Sequence, residues 1–251
     1  MAKEAGHTFL ARMGKTKLRP GGREATDWLI QEADISKDSS ILEVACNMGT
    51  TMIQLAQQFN CHIVGVDQDQ RVLEKAKANI EQNDLADLIT LQVANAMKLP
   101  FAAASFDIVI NEAMLTMLPQ VGKEKAIAEY FRVLKPGGKL LTHDVRLVKE
   151  DEKVVSELQE AINVKAQPLT QENWLSCFQN IGFYSECQTG AMTLMNPAGM
   201  IHDEGMTGAL EIMKNGMKSE NQAQFKKMFN MFKKNSDKLG YIAVVSTKKE
   251  K

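Results

Sequence analysis

The chain has 251 residues, enough for one large domain or for one domain with a sizeable insertion. Thirty basic and 31 acidic side chains leave a net charge of −1, which lacks the electrostatic footprint of a nucleic-acid binder. The apolar share of 44% is that of a globular protein, and no apolar run approaches the roughly 20 residues needed to span a bilayer, so stable membrane insertion is not expected.

In chain order, residues 23–34 predict a helix, with Trp28, Leu29 and Ile30 among polar neighbours. Short apolar runs then alternate with helical patterns. Residues 40–46 predict a strand, 50–59 a helix, 62–67 a strand, and 69–83 a helix. In the last of these Leu73, Ala76 and Ile80 fall at helical spacing, and Asp69 is placed to cap it. Strands follow at 88–94 and 106–112, then a helix at 123–134 that "KPGG" (135–138) stops, and a fifth strand at 139–145. Helices are expected at about 150–163 and 167–183, and closing strands at 184–189 and 241–247. The Met-rich stretch 191–238 is too long for a plain loop and predicts a helical insertion before the last strand.

Strands that are continuous apolar runs, each followed by a helix, predict a doubly wound α/β fold. The expected architecture is a Rossmann-like, seven-stranded, mostly parallel sheet with helices on both faces. In such sheets ligands sit beyond the carboxyl ends of the strands, and the first strand-to-helix turn brings backbone close to them. That turn is "EVACNMG" here, with Ala45, Asn47 and Gly49 where a glycine triplet is common. Alanine adds only a methyl group, and asparagine enters the left-handed region readily, so much of the needed backbone freedom survives. At the end of the second strand, Asp67 has the position and chemistry to accept both hydroxyls of a ribose; capping the next helix is its alternative role. After the third strand Asn95 is a candidate partner for an adenine amino group, with Met97 or Leu99 against the ring.

The ordered set "EVACNMGT", "GVD", "NAMKLPF", "SFDIVINEA" and "RVLKPGGKLL" resembles the class I S-adenosylmethionine-dependent methyltransferases. The resemblance runs over about residues 18–190, in the small-molecule branch that includes ubiquinone/menaquinone-biosynthesis and arsenite methyltransferases. It implies S-adenosylmethionine as cofactor and S-adenosylhomocysteine as product. It also implies that Glu43, Ala45, Asn47 and Gly49 hold the methionine part, and that Asp67 takes the ribose. Gln68, Asn95 and Ala96 would then lie at the adenine, and Asn111 and Glu112 would line the cofactor and substrate. Pro20-Gly21-Gly22 resembles a stretch whose backbone borders the cofactor's carboxylate end, which adds Gly22 to the cofactor set and leaves Arg19 between a charged role there and a solvated lead-in.

A nicotinamide-dependent oxidoreductase shares the fold-level signals, but "LPF" and "KPGG" favour methyl transfer. A non-catalytic cofactor-binding protein is the other alternative. The "GKT" at Gly14, Lys15 and Thr16 has neither the glycine nor the preceding strand of a phosphate loop, and Lys15 and Lys17 are expected to be solvated.

For the chemistry, Glu112, His143 and Asp144 are the candidate polar groups at the strand ends. His143 and Glu112 are the candidate catalytic pair, and Arg19, Asp144 and His202 the candidate substrate contacts. Phe225, Met228, Phe229 and Phe232 form one helix face, expected to pack the insertion onto the domain. The insertion itself is a candidate lid over a partly apolar small molecule. Membrane-surface contact through Lys226, Lys227, Lys233 and Lys234 is the lesser alternative.

Four scattered cysteines, Cys46, Cys61, Cys177 and Cys187, form no CxxC pair, and residues 201–205 cannot all face one ion. Neither a metal site nor arsenic chemistry is expected, and with no secretory signal core the expected location is the cytoplasm. The expected organisation is an N-terminal segment 1–22 bordering the site, a cofactor-binding core 23–190, a lid 191–238, and a last strand with a basic tail, 239–251.

Overall fold

A computed structural model of the protein describes residues 4–249; the first and last few residues of the expected N-terminal segment and basic tail lie outside them. Strands β1 (Ser40–Val44), β2 (His62–Asp67), β3 (Ile89–Val93), β4 (Phe106–Glu112), β5 (Leu134–Leu147), β7 (Phe183–Ala191) and β8 (Leu239–Lys248) lie in the order 3-2-1-4-5-8-7. The first five are parallel, and β8 runs antiparallel between β5 and β7. This is the expected seven-stranded sheet. A two-residue strand, β6 (Leu169–Thr170), pairs with the far end of β5 and was not foreseen. Its brevity hides it, because a strand so short has no periodicity of its own.

Helices cover both faces. On one side α2 (Gly22–Glu32), α3 (Thr50–Phe59) and α4 (Gln70–Gln82) bury Leu29, Met52, Leu55 and Leu73 against Ile41, Ile63 and Ile110. On the other, α5 (Gln120–Val133) and α7 (Gln171–Gln179) bury Ile127, Tyr130, Trp174 and Phe178 against Leu42, Val109 and Leu140. Ile41 and Leu42 are adjacent yet both fully buried, which explains why these strands lack the alternation of a one-sided sheet. Asp69 caps α4, as its position implied, by accepting from Arg71 N. "KPGG" does end α5, but β5 starts immediately at Leu134 and carries those residues past an irregular register with β4.

A third apolar cluster joins α1 (Gly6–Arg12), α6 (Glu152–Ile162), α8 (Pro197–Gly216) and α9 (Gln222–Lys234). Phe225 and Met228 are buried in it and Phe229 and Phe232 pack at its edge, as their spacing predicted. The α1 helix, overlooked in the sequence pattern, spans only seven residues and is held by Phe9 and Leu10 in this cluster rather than by its own amphipathic length. α8 is broken at Gly205, whose φ of 73° and ψ of 170° are not helical.

Just before that break, Asp203 and Glu204 clasp the N-terminal segment. Lys15 Nζ lies 3.3 Å from Asp203 Oδ2 and 3.5 Å from Glu204 Oε1, with its side chain fully buried. Glu204 also accepts from the backbone N–H groups of Thr16 and Lys17 and from the Thr16 hydroxyl, and Asp203 accepts from Arg23 N at 2.9 Å. The expectation that Lys15 and Lys17 are solvated is therefore corrected: Lys15 is buried, and Lys17 is half-buried with its backbone tied to Glu204. A buried ion pair is costly to break from one side, because the surviving charge is left uncompensated. Asp203→Ala is expected to lower stability by about 3 kcal/mol. Hydrogen exchange is expected to speed up first in residues 6–19 and 197–216 while the strand amides stay protected, which mass spectrometry of the exchanged peptides would read.

Candidate cofactor and active site

The turn after β1 takes the conformation its residues permit. Ala45, Asn47 and Gly49 all lie in the left-handed region, with φ of 58°, 48° and 78°. The substituted glycines thus keep the backbone path of a glycine-rich turn, at a cost of about 1–2 kcal/mol for the alanine. The turn is locked to β2 by Asp67, whose Oδ2 accepts from Asn47 N at 3.1 Å and whose Oδ1 accepts from Asp69 N at 3.0 Å. The helix cap falls to Asp69, whose own N–H Asp67 holds. Each Asp67 oxygen retains a further lone pair, so the group is held in place and still able to accept from a diol. Gln68 follows Asp67 as exposed surface. Asn95 sits on the neighbouring loop with its side chain exposed and its Oδ1 accepting from Met97 N, while Ala96 and Leu99 are buried beside it.

At the ends of β1 and β4 two carboxylates are buried together. Glu112 is surrounded by donors: Arg19 Nε at 3.1 Å, the Thr26 hydroxyl at 2.6 Å, His143 Nδ1 at 3.2 Å and the Thr51 hydroxyl at 3.4 Å. Arg19 also donates to the hydroxyls of Thr26 and Thr51. Burial alone would raise the Glu112 pKa, but the Arg19 charge and the hydrogen bonds from His143 and Thr26 outweigh it and hold the group at about 2.

Glu43 is the opposite case. Thr51 and Met52 N are its hydrogen-bonding partners, its Oε2 has no partner among the described residues, and burial together with the nearby Glu112 pushes its pKa up to about 8. Asn111 donates its side-chain amide to Val44 O at 2.9 Å, and its buried Oδ1 has no partner among the described residues.

Three expectations for individual residues change. His143 accepts at Nε2 from Gly21 N at 2.9 Å, so the ring proton sits on Nδ1, aimed at Glu112. Both nitrogens are used, so the side chain has no free lone pair for a substrate proton, and Glu112 is likewise enclosed by its donors. Asp144, next in sequence, points to the other sheet face, as alternation along a strand requires. There it accepts from Thr116 N at 2.8 Å and is fully buried, with burial raising its pKa to about 7, so it does not join His143 and Glu112. His202 is 63% exposed at its side chain and turns outward, while its neighbours Asp203 and Glu204 make the clasp. Arg19, Glu43, Glu112 and His143 do come together at the strand ends, with Gly22 adjoining, while Asn111, next to Glu112 on β4, faces the other side of the sheet and holds Val44 O. At Gly22 a φ of 60° and a Cβ position only 2.4 Å from Asp203 Oδ1 leave room for glycine alone. Thr26 and Thr51, the shared hydroxyl donors, carried no signal in the sequence beyond their helical positions.

A methyltransferase-domain family model matches residues 41–138. An uncharacterized protein of Haemophilus influenzae is 60% identical over 99% of this chain and 100% of its own length. Demethylmenaquinone methyltransferase of Lactiplantibacillus plantarum is 26% identical over 68% of this chain and 71% of that protein. The chain belongs to the class I S-adenosylmethionine-dependent methyltransferases. The cofactor of this family is S-adenosylmethionine. A putative sarcosine dimethylglycine methyltransferase from Galdieria sulphuraria shares the fold, with a TM-score of 0.78 over 98% of both chains at 17% identity. Other named methyltransferases are matched over 40 to 58% of their own lengths, so the chain spans about half the length of those relatives.

The residues present fit a methyltransferase's cofactor. The left-handed turn, the diol-ready Asp67 and two unpartnered buried oxygens on Glu43 and Asn111 lie at the strand ends where the family binds it. Glu112→Gln is expected to cost about 3 kcal/mol at neutral pH by removing the charge that Arg19 faces. Because the folded pKa lies below the ordinary carboxylate value of 4.5, this contribution is present above pH 4.5 and disappears as pH falls toward 2. Denaturant midpoints of the two proteins should therefore converge over that acid range.

Proposed function

We propose that this protein transfers the methyl group of S-adenosylmethionine to a small, partly apolar molecule by in-line displacement. The observation that carries the reading is the left-handed 45–49 turn locked to the Asp67 carboxylate. In the bound state Asp67 would accept from the ribose hydroxyls. Gln68, Asn95 and Ala96 would border the adenine, and Glu43, Ala45, Asn47 and Gly49 would hold the methionine half beside Asn111, Glu112 and Gly22. When bound, the cofactor supplies an electrophilic methyl on a positive sulfur. The protein's share of the work is then to align the acceptor and exclude water. Arg19, Glu112 and His143 serve that share as a rigid wall rather than as proton carriers, since their hydrogen bonds are spent on one another and on Gly21.

The N-terminal segment, residues 1–22, and the 191–238 insertion act together as a lid over the 23–190 core, and β8 from 239 onward closes the sheet. The Lys15 clasp to Asp203 and Glu204, and the break at Gly205, support this reading. The methionines of the third cluster, Met13, Met195 and Met200 among them, favour a partly apolar acceptor because the thioether adapts to irregular partners. The near-neutral charge argues against nucleic acid as partner. Among the described residues the four thiols are free, which favours the reducing cytoplasm, and no helix is long and apolar enough to cross a membrane. No feature of the site favours a nicotinamide cofactor or a purely sensory role.

Asp67→Ala is expected to weaken S-adenosylhomocysteine binding about 30- to 100-fold through lost charge-assisted hydrogen bonds, measured by calorimetry on a variant with unchanged circular dichroism. Undiminished binding would move the ribose elsewhere. Incubation of the wild-type protein with S-adenosylmethionine and a metabolite extract should yield a product heavier by one methylene group.

A further inference from the structure

Glu43 and Glu112 are both buried at the strand ends, and they do not share their partners equally. The Arg19 Nε–Oε2 ion pair, the hydroxyls of Thr26 and Thr51 and the His143 ring all serve Glu112. Glu43 keeps only Met52 N and a share of the single Thr51 hydroxyl proton, and its Oε2 has no partner among the described residues. A buried carboxylate without its own cation is driven to take a proton, because the charged form loses its water and gains nothing in exchange.

The groups around it leave that balance in place. Arg19 from the N-terminal segment lowers the Glu43 pKa, but it makes its ion pair with Glu112 and burial outweighs its charge. Glu112 on β4 is itself an anion. Cys46 in the turn has its thiol pKa raised by burial, with the Glu43 charge adding to the effect. His143 on β5 lies behind Glu112 with its Nδ1 proton aimed there. From α3 come the Thr51 hydroxyl and the Met52 N–H alone. The missing element is a second cation, and the methionine half of the cofactor carries one in its α-ammonium group.

We propose that Glu43 holds a proton in the cofactor-free protein and releases it to solvent when the α-ammonium group of the cofactor arrives, so that cofactor binding expels one proton. The exchange balances: a neutral carboxyl and a cationic ligand become a carboxylate–ammonium pair and a free proton. The inference rests on the methyl-transfer reading and adds to it a charge test by which the site distinguishes ligands bearing the amino-acid end from those that lack it. Burial holds Glu43 at about 8 in the free protein, and a free α-amino group loses its own proton near the same value, so the effect belongs to the range below. There, rising pH strengthens binding, because the proton is a product of the reaction.

The test is calorimetric titration of the full chain with S-adenosylhomocysteine at about pH 6.5, below both ionisations, in phosphate and in imidazole buffer. The dependence of the observed heat on buffer ionisation enthalpy should report close to one proton released, and the Kd should fall about tenfold per pH unit over the acid side of neutrality. 5′-Methylthioadenosine, which has the nucleoside but no amino-acid end, should bind without releasing a proton. Glu43→Gln, which fixes the neutral form, should bind S-adenosylhomocysteine with no proton release and a pH-independent Kd. If that variant does not fold, the comparison of the two ligands on the wild-type protein decides alone. S-adenosylhomocysteine binding with no proton released would overturn the inference and leave the methyl-transfer reading standing, as would equal release with 5′-methylthioadenosine or with Glu43→Gln. No binding of S-adenosylhomocysteine at all would overturn both.

Discussion

The burial of Glu112 as a carboxylate is the constraint around which the rest of the site is organised. An anion taken out of water at the end of β4 must be met by donors from several directions. Arg19 comes from the N-terminal segment, Thr26 from α2, Thr51 from α3 and His143 from β5. Satisfying one side chain therefore pins four separate pieces of chain to the same point above the sheet. His143 extends the arrangement by accepting from Gly21 N, so that the Pro-Gly-Gly segment is tied to the sheet through a side chain. A histidine placed this way does the work of a strut. Its two nitrogens have one donor and one acceptor role in the neutral ring, and both are filled.

The alternating strands and helices, and with them the sheet order, were legible because each buried parallel strand is an unbroken apolar run and each helix shows its own period. The turn at Ala45, Asn47 and Gly49 was legible for a more specific reason. Few non-glycine residues enter the left-handed region, and asparagine together with a residue as small as alanine keeps that option open. What escaped was whatever depends on contacts distant in sequence. The seven-residue α1 has too little length for a pattern, and it owes its helical state to α6 and α9. Lys15 looks like an ordinary basic residue until Asp203, 188 residues away, is brought to it.

Adjacent residues misled for a geometric reason. "THDV" places His143 and Asp144 side by side in sequence, which invites reading them as one polar pair. In a strand they face opposite ways, so one meets Glu112 beneath α2 while the other meets Thr116 N on the face covered by α5. In the 201–205 run the same happens along a helix that is about to break. His202 turns to solvent and the next two residues turn inward. Residue type pointed to polar chemistry in both stretches, and only direction decided which members took part.

The two buried carboxylates, one paired and one not, bear on how such a site can be both rigid and receptive. Were Glu43 given its own arginine, the strand ends would be fully neutralised and a cationic ligand would meet no demand for its charge. Were Glu112 left unpaired as well, two adjacent anions would repel and one would have to take a proton, loosening the N-terminal segment that Arg19 and His143 hold down. One satisfied carboxylate builds the wall; one unsatisfied oxygen leaves a place in it. The clasp between Lys15 and the Asp203–Glu204 pair follows the same division, since it settles its own charges between the N-terminal segment and α8 and shares no ion pair with Glu43 or Glu112. On the proposed lid reading, closure and ligand recognition are served by separate ion pairs, and a change in one need not disturb the electrostatics of the other.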